Sequence, residues 1–146
     1  MLFRSHSAAE VKHLNPVIEK LAAGKPFIGF QTSDLSLGNA RAMARAEADY
    51  VYVDMEHTPL DFTALNHFAM GMVDKAAALR KGNPAPNMAL FARFPPYGQE
   101  GALWIAKQAL DAGLMGVIFN GIDTPEQATL AVRSIDRKST RLNSSH

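Results

Sequence analysis

A carboxylate and a histidine stand close together just after an apolar segment of this sequence. The run Tyr50–Val53 is followed by Asp54, and Glu56 and His57 come within the next three residues. A carboxylate near a histidine can fix the tautomer of the imidazole and leave the other ring nitrogen free to act as a general base. The same pattern also fits a solvated loop, and the residues alone do not decide between the two interpretations.

An arginine closes another apolar segment, which runs from Met88 to Arg93. The planar guanidinium can donate two parallel hydrogen bonds to a carboxylate, so Arg93 is a candidate clamp for an acidic substrate. A surface ion pair with a neighbouring loop is the alternative. If both segments are strands of one parallel sheet, Arg93 and His57 follow strands at the same rim, where active sites of βα folds lie.

The elements that would position these groups alternate regularly along the chain. Near-continuous apolar runs predict buried strands at 27–30, 50–54, 88–93 and 116–119. Helices are predicted at 15–24, 37–46, 61–81 and 99–112, with a fifth that opens at Thr124. One helix followed by four βα units predicts an α/β fold with a parallel sheet, right-handed crossovers and helices outside.

The last eleven residues, 136–146, read as the translation of a common sequencing adapter, so we interpret them as a non-native tail. Residues 1–135 then form the domain. Four βα units suit either a small open sheet or the N-terminal half of a (β/α)8 barrel, which typically needs ~250 residues. Periodicity does not choose between these architectures. The tail favours the partial barrel, because a chain that ends in an adapter is expected to have lost its remainder.

The composition argues against several classes of protein. No apolar run approaches the ~18–20 residues of a membrane span, and the N-terminus lacks the layout of a signal peptide. There is no cysteine, which excludes disulfides and thiolate chemistry. Outside the tail the acidic and basic residues nearly balance. We therefore expect a cytoplasmic protein with no nucleic-acid or membrane partner.

Taken in order, these motifs resemble the HpcH/HpaI aldolase family over about residues 25–135. The resemblance is carried by Asp54-x-Glu56-His57-x-Pro59, Arg93 at the end of the third strand, Leu110–Ile118 entering the fourth, and Thr124–Ala128 after it. It implies a TIM-barrel lyase that uses a divalent metal (Mg²⁺, Mn²⁺ or Co²⁺) and cleaves a 2-oxo-acid aldol to pyruvate, or a related oxo acid, and an aldehyde.

The resemblance also implies roles for individual residues. His57 would take part in acid/base catalysis, and Asp54 would hold it. Arg93 would bind the carboxylate of the oxo acid and stabilise the enolate. Glu56 matches the motif without an assigned role. The intact parent would form a homo-oligomer, a hexamer in many relatives, whereas the fragment is expected to be inactive.

Two departures from the family pattern bear on function. The acidic metal ligands of the family come from later strands, so no metal ligand is expected among these residues. The fourth strand ends in Asn120-Gly121, where many relatives have a proline-containing segment, so Asn120 is a further candidate site residue and the substrate stays open. Two alternatives remain: a small non-catalytic βα module that binds a ligand, and a citrate-lyase-like barrel that cleaves carbon–carbon or acyl bonds. The motif at His57 favours the aldolase.

Overall fold

Helices and strands alternate along the computed structural model, which describes residues 13–96 and 103–136. The four strands form one parallel sheet in the order β1-β2-β3-β4. This arrangement confirms the predicted α/β fold with a parallel sheet. The elements are α1 (Pro16–Ala22), β1 (Gly29–Thr32), α2 (Leu37–Met43), β2 (Tyr50–Asp54), α3 (Phe62–Gly71), α4 (Lys75–Lys81), β3 (Ala89–Arg93), α5 (Leu103–Asp111), β4 (Gly116–Ile118) and α6 (Pro125–Ile135).

Helix starts read from capping residues are confirmed where the structure describes them. The side chain of Asn15 accepts a hydrogen bond from the amide of Val17 at the start of α1. The side chains and backbone amides of Thr124 and Gln127 form a reciprocal capping box at the start of α6. The predicted start of the fourth helix at Gln99 lies outside the described residues.

The single helix predicted over 61–81 is wrong. The structure divides it into α3, which ends at Gly71, and α4, which begins at Lys75. Asp74 adopts a non-helical conformation and its side chain accepts a hydrogen bond from the amide of Ala77. A short polar side chain that caps a new helix competes with continuing the old one, and here the cap prevails over the apolar periodicity.

The first strand lies two residues later than predicted. Gly29–Thr32 pairs with β2, with Gly29 beside Tyr50 and Gln31 beside Tyr52. The apolar run ends at Phe30, whereas the strand continues through the polar residues Gln31 and Thr32. Strand extent is set by the backbone ladder, and the polarity of Gln31 reflects its contacts on one face of the sheet.

Successive side chains of the strands point to opposite faces of the sheet, and one face packs against the helices. Val51 and Val53 of β2 and Leu90 and Ala92 of β3 are buried on that face. They belong to one apolar core, to which the helices contribute Ala40, Ala44, Leu65, Phe68, Ile105, Ala106 and Ala109. Packing in this core stabilises the sheet whose strands carry the charged groups.

The opposite face of the sheet is aromatic. The ring of Tyr50 stacks on Phe91 of the neighbouring strand with centroids 5.3 Å apart and lies 6.5 Å from the ring of Tyr52. Gly29 and Gly116 lie on the outer strands beside these rings. A Cβ atom at Gly29 would lie 2.3 Å from the Tyr50 ring, and one at Gly116 would lie 2.6 Å from Phe91. Both glycines therefore provide the space that the rings occupy.

Helix α1 ties the amino-terminal edge of the sheet together. The side chain of Asn15 donates a hydrogen bond of 3.0 Å to the carbonyl of Met115, just before β4. Lys20 lies 2.5 Å from Asp49, just before β2, and Asp49 also accepts a hydrogen bond from the amide of Ile28. No helix within the described ranges has the length and hydropathy needed to cross a bilayer.

We expect Gly29→Ala to lower the free energy of unfolding, because the new methyl group would displace the Tyr50 ring from its stack on Phe91. The expected loss is about 0.5–1.5 kcal/mol, the contribution of an aromatic pair. Chemical denaturation monitored by circular dichroism measures it. Gly38→Ala in α2 is the matched control, since a Cβ atom there would meet only Ser36 Oγ at an unstrained 4.0 Å and alanine favours a helix. Equal effects of the two changes would contradict the steric account.

Candidate active site

The carboxyl ends of β2 and β3 bring the charged groups together. Asp54 and Arg93 are direct partners in the strand register, and Glu56 and His57 lie in the turn that follows β2. This edge is opposite to the one tied by α1. Four candidate residues predicted from the sequence therefore share one cluster, which we call the rim cluster: Asp54, Glu56, His57 and Arg93.

The carboxylate of Asp54 is the centre of the rim cluster and is only 2% exposed. Its Oδ1 accepts hydrogen bonds from Arg93 Nε at 3.1 Å and from the backbone amide of Glu56 at 3.0 Å. Its Oδ2 accepts hydrogen bonds from Arg93 Nη2 at 2.5 Å and from Gln31 Nε2 at 2.9 Å. Burial of a charge is costly unless it is paired and hydrogen-bonded, and Asp54 meets both conditions.

The turn after β2 is shaped by the same aspartate. Besides the amide of Glu56, the amide of His57 donates a longer hydrogen bond of 3.4 Å to Oδ1 of Asp54. The hydroxyl of Thr58 donates to the backbone carbonyl of Asp54, and the amide of Met55 donates to the carbonyl of Arg93. Hydrogen bonds from these two amides to the aspartate side chain fold the chain into a turn. The turn places the His57 ring beside the carboxylate.

The ion pair fixes the charge of both partners. The Arg93 guanidinium holds the pKa of Asp54 well below its usual range, against the opposing effect of burial, and His57 and the amide of Glu56 lower it further. Asp54 in turn raises the pKa of Arg93. Asp54 is therefore an anion near neutral pH, where it can orient a proton on a neighbour but does not act as an acid.

The histidine ring has two partners for one nitrogen. Nδ1 of His57 lies 2.9 Å from Oδ2 of Asp54 and 2.9 Å from Nη2 of Arg93. If Nδ1 carries the proton it donates to Asp54, and Nε2 has a free lone pair. If Nδ1 is bare it accepts from Arg93, and Nε2 carries the proton. The His57 side chain is 66% exposed, and its Nε2 lies 3.9 Å from Oε2 of Glu56, beyond hydrogen-bond distance.

Arg93 is held on three sides. Besides Asp54, its Nε lies 3.2 Å from Oε2 of Glu56, and its guanidinium carbon lies 5.6 Å from the centroid of the Tyr52 ring. This distance is within the range of a cation–π interaction. The side chain is 22% exposed, so part of the guanidinium still faces the open side of the rim.

The remaining predicted residue, Asn120, lies outside the rim cluster in the structure. Its side-chain amide donates a hydrogen bond of 3.0 Å to the carbonyl of Phe94. That bond ties the end of β4 to the segment after β3, where the rings of Phe94 and Phe119 also lie 6.1 Å apart. Asn120 thus braces the segment that follows Arg93.

Sequence reasoning missed two residues of the site, Gln31 and Tyr52. The side chain of Gln31 joins Tyr52 to Asp54, since the Tyr52 hydroxyl donates a hydrogen bond of 2.8 Å to Oε1 of Gln31. One signal was present for Tyr52, which precedes Asp54 by two residues and so shares its face of the strand. Gln31 carried no comparable signal, because its place in β1 depends on the register with β2.

Asp54, Glu56 and His57 offer ligand atoms within 4.8 Å of one another, which raises the question of a metal ion. The Arg93 guanidinium already contacts both carboxylates, and Asp54 accepts several further hydrogen bonds. A divalent cation in this position would face a resident positive charge and would have to displace these bonds. In this arrangement the rim cluster does not fit a metal ion.

Comparisons with known proteins support the predicted resemblance. The chain is 30% identical to a hydroxypyruvate/pyruvate aldolase of Paraburkholderia phytofirmans, over 82% of this chain and 41% of that protein. It is 28% identical to a protein of the same name from Roseobacter denitrificans, over 83% of this chain and 41% of that protein. A solved HpcH/HpaI aldolase/citrate lyase family protein from Burkholderia cenocepacia matches with a TM-score of 0.64 and 29% identity, over 82% of this chain and 42% of that one.

The chain thus spans about two fifths of the length of the curated relatives that it matches. No family model matches the sequence. Sequence and structure together confirm the resemblance to the HpcH/HpaI aldolases over most of this chain. The match to less than half of the solved barrel is consistent with a partial (β/α)8 barrel.

We expect Asp54→Asn to flatten the dependence of stability on acid pH. The pKa of Asp54 is lowered in the folded state, so the ionised carboxylate contributes stability that is present above its unfolded pKa of ~3.9 and lost as the pH falls below that value. The free energy of unfolding, measured from about pH 5 downward, should therefore fall less steeply in the variant. Asp61→Asn is the control, since asparagine caps α3 as well as aspartate does. Parallel curves for Asp54→Asn and the unmodified chain would refute this role of the ion pair.

Proposed function

We propose that this chain is the N-terminal half of a metal-dependent lyase that cleaves the aldol of a 2-oxo acid to pyruvate, or a related oxo acid, and an aldehyde, or runs the reverse addition. The observation that carries the proposal is the rim cluster, in which an ionised aspartate contacts both a histidine and an arginine at the carboxyl edge of the sheet. The aldolase names of the relatives support the same reaction class. Residues 1–135 belong to the barrel in this proposal, and 136–146 are a non-native tail.

His57 is the general base of this reaction in the proposal. With its Nδ1 proton donated to Asp54, the bare Nε2 takes the proton from the hydroxyl of the aldol. The carbon–carbon bond then breaks and the aldehyde leaves. The electron pair of the broken bond forms the enolate of the oxo acid. Transfer of this proton from the imidazolium to the enolate carbon then gives the oxo acid and restores the bare Nε2. Asp54 stabilises the imidazolium that forms in the first step and remains ionised throughout.

Arg93 binds the negatively charged oxygens of the oxo acid in this proposal. A 2-oxo acid presents a carboxylate and, after cleavage, an enolate oxygen, and a guanidinium can hold both kinds of oxygen by charge-assisted hydrogen bonds. The contacts with Asp54, Glu56 and Tyr52 hold the guanidinium in place before substrate arrives. Such preorganisation reduces the reorganisation needed when charge develops.

The proposal extends to the surroundings of the site. The divalent metal, Mg²⁺, Mn²⁺ or Co²⁺, would be held by acidic residues of the parent outside this chain, because the rim cluster does not fit it. The parent would be a cytoplasmic homo-oligomer that acts on small oxo acids and aldehydes. Asn120 would influence which aldehyde is accepted, through the segment that it braces after β3.

The first step of the test is to recover the full coding sequence from the source DNA. The sequencing method must not use the adapter whose translation matches the tail. The encoded parent is assayed for pyruvate release from 4-hydroxy-2-oxo acids with Mg²⁺ or Mn²⁺. We expect metal-dependent turnover from the parent and none from the 146-residue chain. A frame that stops near Ile135 would overturn the proposal and favour a small ligand-binding βα module. Turnover by the isolated chain would refute its expected inactivity.

In the parent, we expect His57→Ala to lower kcat by about 10²- to 10⁴-fold, the usual contribution of a positioned general base. The histidine His67 in α3 offers a matched control, since it is exposed on a helix away from the rim. His67→Ala should retain the turnover of the unmodified enzyme. A His57 variant with unchanged kcat would assign the base to another group.

Arg93→Lys in the parent keeps the positive charge but loses the planar fork. We expect kcat/KM for the oxo acid to fall by about 10- to 100-fold, equivalent to one hydrogen bond to a charged group. Steady-state kinetics measure this loss, and Arg133→Lys on α6, an exposed position, is the control. Unchanged kinetics of the Arg93 variant would show that charge alone suffices and that the fork is not used.

A further inference from the structure

We propose that Gln31 and Tyr52 are positioning residues that select the tautomer of His57: the Tyr52 hydroxyl orients the Gln31 amide, which anchors Asp54 so that His57 keeps its proton on Nδ1. The inference rests on the proposed role of His57 as a base, because only that tautomer leaves Nε2 bare. Neither residue was among the candidates read from the sequence. Both lie on the face of the sheet that carries Asp54.

The direction of the hydrogen bonds follows from the groups involved. Ionised Asp54 only accepts, so the atom of Gln31 that lies 2.9 Å from its Oδ2 must be the amide nitrogen. The amide oxygen of Gln31 then faces the Tyr52 hydroxyl at 2.8 Å, and the hydroxyl must donate to it. A flipped amide would place two oxygens against each other at Asp54. The Tyr52 proton therefore favours one orientation of the Gln31 side chain.

Strand register brings these three side chains together. Gln31 is the direct partner of Tyr52 across β1 and β2, and Asp54 lies two residues beyond Tyr52 on the same face. The distance from the Gln31 backbone to Asp54 is thus that of a diagonal pair, which a long side chain can span. A shorter residue at position 31 would not reach both partners.

The need for an anchor comes from competition around Oδ2 of Asp54. Nη2 of Arg93 lies 2.5 Å from this oxygen and 2.9 Å from Nδ1 of His57, so Arg93 can donate to either. If the carboxylate turns away from His57, Nδ1 loses its acceptor, and Arg93 becomes its donor. The proton of the imidazole then belongs on Nε2, and the ring no longer presents a base. A third donor from Gln31 holds Oδ2 where His57 can reach it.

Tyr52 also allows its two contributions to be separated. Its ring faces the Arg93 guanidinium, whereas its hydroxyl faces Gln31. Tyr52→Phe retains the ring and removes only the proton that orients the amide. Gln31→Met retains the length of the side chain and removes both of its hydrogen bonds. Tyr50→Phe removes a neighbouring hydroxyl for which the described residues provide no hydrogen-bond partner, and it serves as the matched control.

The experiment is ¹⁵N NMR of the His57 ring in the 146-residue chain at about pH 8, with the two-bond nitrogen–proton couplings used to tell the tautomers apart. We expect the Nδ1-protonated form to predominate in the unmodified chain and in Tyr50→Phe. In Gln31→Met and Tyr52→Phe the ratio should move toward the Nε2-protonated form by about five- to tenfold, the effect of one hydrogen bond. The backbone amide spectrum of each variant checks that the sheet is retained.

An unmodified chain with the proton on Nε2, or an unchanged ratio in both folded variants, would overturn the proposal. A shift in Gln31→Met alone would overturn the part assigned to Tyr52. If Gln31→Met does not fold, Tyr52→Phe decides by itself, since it retains the ring and its packing. The measurement needs no substrate, so its failure is distinct from a failure of the aldolase assay on the parent.

Discussion

The rim of this sheet depends on the ion pair between Asp54 and Arg93. A carboxylate with 2% exposure is tolerated because the guanidinium, two backbone amides and Gln31 all donate to it. The pair also links β2 to β3 through their side chains at the last register pair of the ladder. The same aspartate shapes the turn that presents His57. The ion pair that holds Asp54 in place therefore supports both the local structure and the position of the histidine.

Stability and chemistry are assigned to different parts of the sheet. The valines of β2 and the alternate residues of β3 pack on the helices, while Tyr50, Tyr52 and Phe91 cover the other face. Helix α1 ties the amino-terminal edge through Asn15 and Lys20. The carboxyl edge therefore carries charged residues without disrupting the core, as is typical of folds in which βα loops carry the function.

The positive charge of Arg93 also decides what the acidic residues can do. Asp54, Glu56 and His57 are close enough to surround an ion, but the guanidinium already lies against both carboxylates. The same geometry that argues against a metal ion favours an anionic substrate, because Arg93 is fixed in place and part of it stays open to the rim. The charge of Arg93 thus favours an anionic ligand at the cluster over a metal ion within it.

The sequence by itself determined the features that depend on neighbouring residues. Caps at Asn15 and Thr124, the apolar strands and the charged ends of β2 and β3 are local patterns, and they indicated the fold and the rim cluster. Only the tertiary structure decided which residues meet across strands. Gln31 reaches Asp54, and Asn120 bonds to Phe94 instead of joining the cluster, because strand register and side-chain reach join positions distant in sequence. The break at Asp74 is also local, but there a capping bond prevailed over a continuous apolar pattern that predicted a single helix.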